Sequence, residues 1–522
     1  MSILLIKSID LKHHTTPTRL EQPHPQERSL RVQSATMPLS PPDDRPVSLR
    51  SLLWVIAAVT CVEFFETGMV TFAAAPIMGG LGLRAEEFAF AYTVYGVCAI
   101  FMLYKHQWVV ERFGYRDFIL ASLGVFAVGA TLCATADGLT QFAAGRALQG
   151  MGGATFFTAG RLQINRLPAE ARFSGLLVFI GTLLGATAIS PLAAAGLITL
   201  GGWQAPFWAM LPLTAAVAWI AGPRLDRDTT PPEARSEEHW GWLLGLVIAV
   251  FALQYAIQGL QFELLSHPGQ VLATGAASII ALSIFAARQW QRERPLIDYR
   301  GLFQLRYLFG IAFYFCGYFM LGLIGFILPI LFQHGLGQSM TTTAMVLSAS
   351  MSCSVLAALA HVALARRWPR LRPFMLSGLV LLATASLWLG QSAAVTDWQQ
   401  IIIPTLLVGL AVPIYMGPVA FGTFTQIAPK VFSHAYQVKN IVRQLGLSSA
   451  IAVGTLVLEW RYARHLDTGH ASLDWAARLL HGAPASAQHA AALAQACADA
   501  YTACGLVALA LIPVVALQRV FR

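Results

Sequence analysis

Two carboxylates, Glu63 and Glu66, sit inside an apolar run from Leu52 to about Leu81. At 100° per residue they lie about 60° apart on one helix face. An ionised side chain at mid-bilayer depth costs roughly 2.5–3.5 kcal/mol on insertion scales, so such a pair must be used or satisfied. Two acids on one low-dielectric face are not expected to be charged together. A third ionisable group, Arg146, falls in another apolar run, 139–163. One arginine answers one carboxylate, and the other acid is left to exchange a proton. The chemistry to expect here is proton handling, with Glu66 and Glu63 as acids and Arg146 as their counter-charge.

The rest of the chain must hold these groups at one depth. It has 522 residues, 56% hydrophobic and only 12% charged, with a mean hydropathy of +0.60. Soluble domains carry about a quarter of their residues charged, so the composition is that of a polytopic, all-α membrane protein. Apolar stretches of spanning length fall at 52–80, 86–106, 117–136, 139–163, 173–200, 203–222, 240–261, 270–287, 307–333, 341–365, 373–391, 398–424, 436–458 and 497–518. These are fourteen expected helices, and the stretch 398–424, with three prolines, is expected to kink. Residues 1–50, rich in Pro, His, Arg and Ser, are expected to be a disordered cytoplasmic tail, with Met37 as a second candidate start. Six spans in 51–222 and six in 307–522 flank a linker, 223–306, that holds two extra spans. The second set includes an outer loop, 459–495, with a short surface helix expected at Asp474–His481.

Thirty of the thirty-five Lys and Arg residues fall in segments assigned to the inside if the N-terminus is inside. The positive-inside rule then places both termini in the cytoplasm. Glu66 lies about ten residues, or ~15 Å, from the outer end of its helix, and Arg146 about seven residues, or ~10 Å, from the outer start of its own. The net charge of +9 is spread over short loops, which argues against a nucleic-acid partner. The seven cysteines lie in or beside apolar segments without metal-ligand spacing. No HExxH, G-x-S-x-G or phosphate-binding G-x-x-x-x-G-K-[ST] occurs, so neither an enzyme nor an ATP-driven pump is expected, and no cofactor or metal is implied.

Several motifs carry a family resemblance. Gln107-Trp-Val-Val-Glu-Arg-Phe-Gly-Tyr-Arg116 resembles the G-x-L-A-D-R-x-G-R-K loop of the major facilitator superfamily, with Glu111 in place of the Asp and Gln107 in place of the first Gly. Arg146-Ala-Leu-Gln-Gly-Met-Gly-Gly-Ala154 resembles its R-x-x-Q-G-x-G-x-A signature. Ser190-Pro191 keeps the proline of the antiporter helix but not its Gly-Pro, and Asn440-Ile-Val-Arg-Gln-Leu-Gly-Leu-Ser448 resembles N-x-x-R-Q-x-G-x-S. With fourteen spans, these are similar to the EmrB/QacA-type drug:proton antiporter branch. The branch's helix 1 acid falls at Thr67 here, one residue beyond Glu66.

The resemblance implies a major facilitator fold of 6 + 2 + 6 transmembrane helices in the bacterial inner membrane. It implies a conformational latch at Glu111, Arg112, Gly114 and Arg116, and helix-packing roles for Gln149, Gly150, Gly153, Pro191, Arg443, Gln444 and Gly446. Tyr314, Tyr318, Tyr415 and Met416 are candidates to line a lipophilic substrate cavity. The expected function is proton-coupled export of lipophilic drugs or metabolites by alternating access. The alternative is transport of an organic anion or another small metabolite on the same fold, with Arg146 as its ligand. The partners are a small-molecule substrate, protons and the lipid bilayer. A membrane-fusion protein and an outer-membrane channel are implied by Gram-negative members of the branch, although no residue demands them.

Overall fold

The computed structural model describes residues 48–521, apart from 84, 226, 237–239, 264–265, 294, 296, 393–397 and 467–486. Most of the expected N-terminal tail, Met37 and the surface helix expected at Asp474–His481 lie outside the described residues.

The described chain is almost entirely helical. The first part comprises α1 (Leu49–Phe72), α2 (Ala74–Leu81), α3 (Ala85–Ala134), α4 (Leu139–Gly153), α5 (Phe156–Gln163), α6 (Arg172–Gly201) and α7 (Ala205–Ala221). Next come α8 (Trp240–Phe262), α9 (Pro268–Gln291) and the one-turn α10 (Tyr299–Leu302). The last part is α11 (Leu305–Ile330), α12 (Met340–Arg367), α13 (Leu371–Leu389), α14 (Ile402–Thr423), α15 (Phe432–His465) and α16 (Ala487–Leu517). Many helix faces carry exposed apolar side chains, such as Trp54, Leu200, Trp219 and Leu517, as lipid-facing surfaces require.

Among the described residues, ten helices are long and apolar enough to cross a membrane, against the fourteen expected. The difference has four local causes. The 50-residue α3 runs through both expected spans 86–106 and 117–136, and only Gly114 (φ 76°, ψ 167°) breaks its helical geometry. The expected span 139–163 is split into α4 and α5 at Ala154–Thr155. Finally, α7 has 17 residues, and the apolar stretch of α8, Gly241–Ile257, is of similar length.

At two helix prolines a hydroxyl donor meets the freed carbonyl. Pro413 in α14 frees the Gly409 carbonyl, and Ser354 of α12 donates its Oγ there at 2.6 Å. Pro191 in α6 frees the Thr187 carbonyl, which accepts from Ser190 Oγ at 2.9 Å. Both satisfy a backbone group that hydrocarbon cannot. The stretch expected to kink, 398–424, forms one helix, α14, with Pro413 and Pro418 inside it, entered through a 3-10 turn at Trp398–Ile401.

Helix packing repeats between the two ends of the chain. In the first part α1 packs on α6, and α3 on α4 and α7; in the last part α11 packs on α15, α12 on α14, and α13 on α16. Two seams join these sets, α6 against α12 and α15 against α3, while α8 packs on α3 and α15. Small residues set the closest approaches. A Cβ on Gly150 would come within 2.4 Å of the Tyr95 carbonyl oxygen, and one on Gly152 within 2.5 Å of that of Ser122. We therefore expect Gly150→Ala to destabilise the protein by about 1–3 kcal/mol. Gly181→Ala, in the same protein but with open space around its Cβ, is expected to be neutral or stabilising by about 1 kcal/mol. Thermal unfolding in one detergent compares the two.

Candidate functional site

The acidic helix α1 passes α5 and α6, and its two carboxylates face different neighbours. Glu66 is 1% exposed and forms an ion pair with Arg146 Nη1 of α4, itself 1% exposed. Arg146 Nη1 also donates to Gln149 Oε1 at 2.8 Å, one turn along its helix. Its guanidinium lies 4.3 Å from the Tyr95 ring centre and 5.9 Å from that of Tyr92. Gln149, expected only to pack helices, thus also orients the arginine; its Oε1 additionally accepts from Cys133 Sγ at 3.6 Å.

Glu63 has its own arginine. Its Oε1 pairs with Arg443 Nη2 of α15, and both side chains are buried. The second oxygen accepts the Phe157 backbone N–H at 3.3 Å. That donor is available because the helix breaks at Ala154–Thr155 and α5 starts afresh at Phe156. An N–H at a helix start has no intrahelical acceptor and favours an anion. The Gly152-Gly153 pair just before the break is its sequence trace.

This corrects one expectation. A single arginine for two carboxylates would have left one acid without a counter-charge; the structure supplies two arginines, one each. Removing one member of a buried pair leaves an uncompensated charge, costing about 3–5 kcal/mol, whereas removing both is far milder. The two pairs differ in reach. Glu66–Arg146 joins helices of the first part of the chain, while Glu63–Arg443 joins α1 to α15 of the last part.

Lys439 and Arg443 fall inside the span expected at 436–458, where only a helix-packing role is expected for Arg443 and none for Lys439. In the structure α15 begins at Phe432, so Lys439 is about two turns into the helix. Lys439 is 2% exposed. Its Nζ lies 4.0 Å from the Phe157 ring centre, 4.3 Å from Tyr436 and 5.4 Å from Tyr314. Next to it, Asn440 Nδ2 donates to Thr158 Oγ1 of α5 at 2.6 Å. Arg161 of α5 lies over Phe432 and Tyr436, at 5.0 and 5.8 Å. The i, i+4 spacing of Lys439 and Arg443 puts them on one face, and it is the sequence signal that identifies the pair.

The remaining expected residues separate by place. Tyr314 stacks on Tyr318 at 5.8 Å beside Lys439. Tyr415 instead is fully buried, donates its hydroxyl to the Phe313 carbonyl at 3.0 Å, and backs onto Gly378 of α13. Met416 lies against Gly317, so both belong to the α11–α14 packing. Gly446 packs under Tyr318, Gln444 lies against Gly96 of α3, and Gly153 packs on the Phe126 ring. Pro191 is in α6, near the contact of Ser190 with Gly68 of α1.

At the turn in α3, Glu111 is buried and accepts from the Ser236 backbone N–H (2.8 Å), Ser236 Oγ (2.7 Å) and Gln107 Nε2 (3.0 Å). Arg112 donates to the Ser236 carbonyl at 3.1 Å and lies over Trp108. Gly114 must be glycine twice over: its φ is positive, and a Cβ would meet the Arg227 backbone at 3.0 Å. Glu111, Arg112 and Gly114 thus clasp the segment after α7, whereas Arg116 does not join Glu111 and leaves its Nε without a hydrogen-bond partner among the described residues.

Residues 56–450 match the family model of the Major Facilitator Superfamily. The chain belongs to the major facilitator superfamily. It is an integral membrane protein and a transporter, not an enzyme, with a small-molecule substrate. It is similar to the putative multidrug resistance protein MdtD of Cronobacter sakazakii, 25% identical over 429 residues that cover 80% of this chain and 87% of that protein. The MdtD protein of Escherichia fergusonii is 26% identical over 303 residues, 57% of this chain and 62% of its own length. Among solved structures, an auto-inhibited POT family peptide transporter superposes with a TM-score of 0.59 at 16% identity, covering 87% of this chain and 96% of that one. The human organic anion transporter MFSD10 (TETRAN) gives 0.55 at 15% identity, over 90% and 100%. At such identities these structures show the fold alone.

A double-mutant cycle on the cross-chain pair separates partnership from packing. Arg443→Met and Glu63→Gln are each expected to lower unfolding stability, Arg443→Met by about 3–5 kcal/mol, with the double variant well short of their sum. Additive losses in denaturant unfolding would mean that the two side chains are not coupled.

Proposed function

We propose that this superfamily member is a proton-coupled exporter of lipophilic drugs or metabolites, working by alternating access in the bacterial inner membrane with both termini cytoplasmic. The observation that carries the reading is the pair of buried carboxylate–arginine contacts, one of which ties α1 to α15. The relatives bear the name putative multidrug resistance protein MdtD, which supports a lipophilic solute. Fourteen crossings are reached when α3 is counted on both sides of Gly114, α4 with α5 as one span, and α7 and α8 as spans. Six-helix bundles at 51–222 and 307–522 then flank the extra pair in 223–306, in keeping with the repeated packing pattern. The clasp of Glu111 and Arg112 on Ser236 is the conformational latch of this scheme.

The cycle follows from the charges. In the ionised state both carboxylates hold their arginines, and Glu63 draws α1 and α15 together. A proton delivered from outside neutralises a carboxylate, ends its ion pair, and loosens the contact it maintained. Solute leaves to that side as the proton binds. After the passage turns inward, the proton departs, the arginine recaptures its carboxylate, and a new solute enters. The aromatic surface of Phe157, Tyr314 and Tyr318 offers the apolar contact a lipophilic solute needs. Glu66 is the first proton carrier, Glu63 the second, and Arg146 sets the affinity of the first.

Proteoliposomes with an imposed pH gradient test the coupling. Wild type is expected to move a lipophilic dye in response to the gradient without ATP, and Glu66→Gln to reduce that movement to background while inserting normally. Unchanged gradient-driven transport in Glu66→Gln, or a requirement for ATP, contradicts the reading.

A further inference from the structure

The ion pairs at the centre of the molecule balance, but the charges around them do not. Among the described residues, Arg146 and Arg443 pair with Glu66 and Glu63, while Arg161 and Lys439 form no ion pair. Lys439 is enclosed by three aromatic rings and has neither a carboxylate nor a hydrogen-bond acceptor among the described residues. Among the described residues Arg161 likewise forms no ion pair, and its Nη1 is buried with no acceptor. The two share one neighbour, the Tyr436 ring, 4.3 Å from Lys439 Nζ and 5.8 Å from the Arg161 guanidinium carbon.

Ring contacts attract a cation but do not replace the water it lost, so a buried ammonium beside a guanidinium, neither with an ion pair among the described residues, suits an anionic group. A guanidinium offers a planar fork to a carboxylate, and an ammonium a point charge with three donors. The surrounding rings supply an apolar wall against which a flat or greasy body packs. A lipophilic cation, by contrast, would meet surplus like charge. Resting on the exporter reading above, we propose that the transported solutes are amphipathic organic anions, aromatic carboxylates in particular. The acidic group sits on Lys439 and Arg161 and the apolar body lies along Phe157, Tyr314, Tyr318 and Tyr436. Proton exchange at Glu63 and Glu66 takes place beside this site but on other side chains.

An anionic phospholipid headgroup presents the same chemistry, so the test separates the sources. The full-length protein in phosphatidylcholine nanodiscs is titrated with naphthalene-2-carboxylate and with its uncharged methyl ester. Wild type is expected to bind the carboxylate at least about tenfold more tightly than the ester. Lys439→Met and Arg161→Met each bring that ratio close to one, and Lys439→Arg keeps it. Without ligand, Lys439→Met melts no lower than wild type, because it removes a charge that has no partner; a purely structural lysine would lower the melting temperature and leave the ratio alone. Equal binding of acid and ester by wild type overturns the proposal, as does a ratio that survives Lys439→Met. Loss of carboxylate binding when phosphatidylglycerol is added would assign the site to lipid and also overturn it. Proteoliposomes distinguish the two readings. Selective binding with no response of naphthalene-2-carboxylate movement to a pH gradient defeats the exporter reading and leaves the anion site standing. Gradient-driven movement of a cationic dye that is indifferent to Lys439→Met, with no carboxylate preference, does the reverse.

Discussion

A charged side chain in hydrocarbon must be paired, and around that constraint the centre of this protein is arranged. Glu63 and Glu66 are three residues apart on α1, yet each reaches a different arginine on a different helix. Glu66 holds α4 to α1 through Arg146, inside the first part of the chain. Glu63 spans to Arg443 on α15, inside the last part, and draws a backbone N–H from the start of α5. The break between α4 and α5 is what frees that N–H. A local interruption in one helix therefore serves a contact between elements 380 residues apart in sequence.

The surrounding helices make this arrangement possible by coming close. Gly68 meets Ser190 and Gly160 meets Thr60, bringing α6 and α5 against α1, while Gly150 and Gly152 let α4 lie directly on the α3 backbone. The carbonyls freed by Pro191 and Pro413 are answered by hydroxyls one residue before or one helix away. Midway along α3, the Glu111 carboxylate is committed to Ser236, so the segment after α7 is fastened to the turn at Gly114. The permanent contacts are thus apolar or locally satisfied. The Glu63–Arg443 ion pair is a buried charged contact that crosses between the two ends of the chain.

Much of this was legible in the sequence, and the omissions have a common cause. Helix positions, the two acids, Arg146 and the turn around Gly114 stood out because a charge or a glycine interrupts an apolar run. Arg443, Lys439 and Arg161 did not, because they sit near the ends of apolar windows, where cations ordinarily flank a membrane. In the structure α15 starts at Phe432, and Lys439 and Arg443 are buried within it. Likewise the α4–α5 break is silent in hydropathy, since Gly152, Gly153 and Ala154 are as compatible with a continuous span as with an interrupted one. Tyr415, expected at a cavity because an aromatic with a polar tip suits one, has its hydroxyl on the Phe313 carbonyl, a partner that sequence spacing does not indicate.

The central claim is that the Glu63–Arg443 pair controls how closely α1 and α15 approach. It is tested by the distance between spin labels at Arg50→Cys and Ala428→Cys, near the starts of the two helices, in a background whose seven native cysteines are replaced by alanine. At neutral pH wild type should give a short, narrow distribution. Acidification should shift it toward a longer one, and Glu63→Gln should show the longer one at neutral pH. A distribution that is the same in wild type and Glu63→Gln, at neutral and acidic pH alike, would contradict the account.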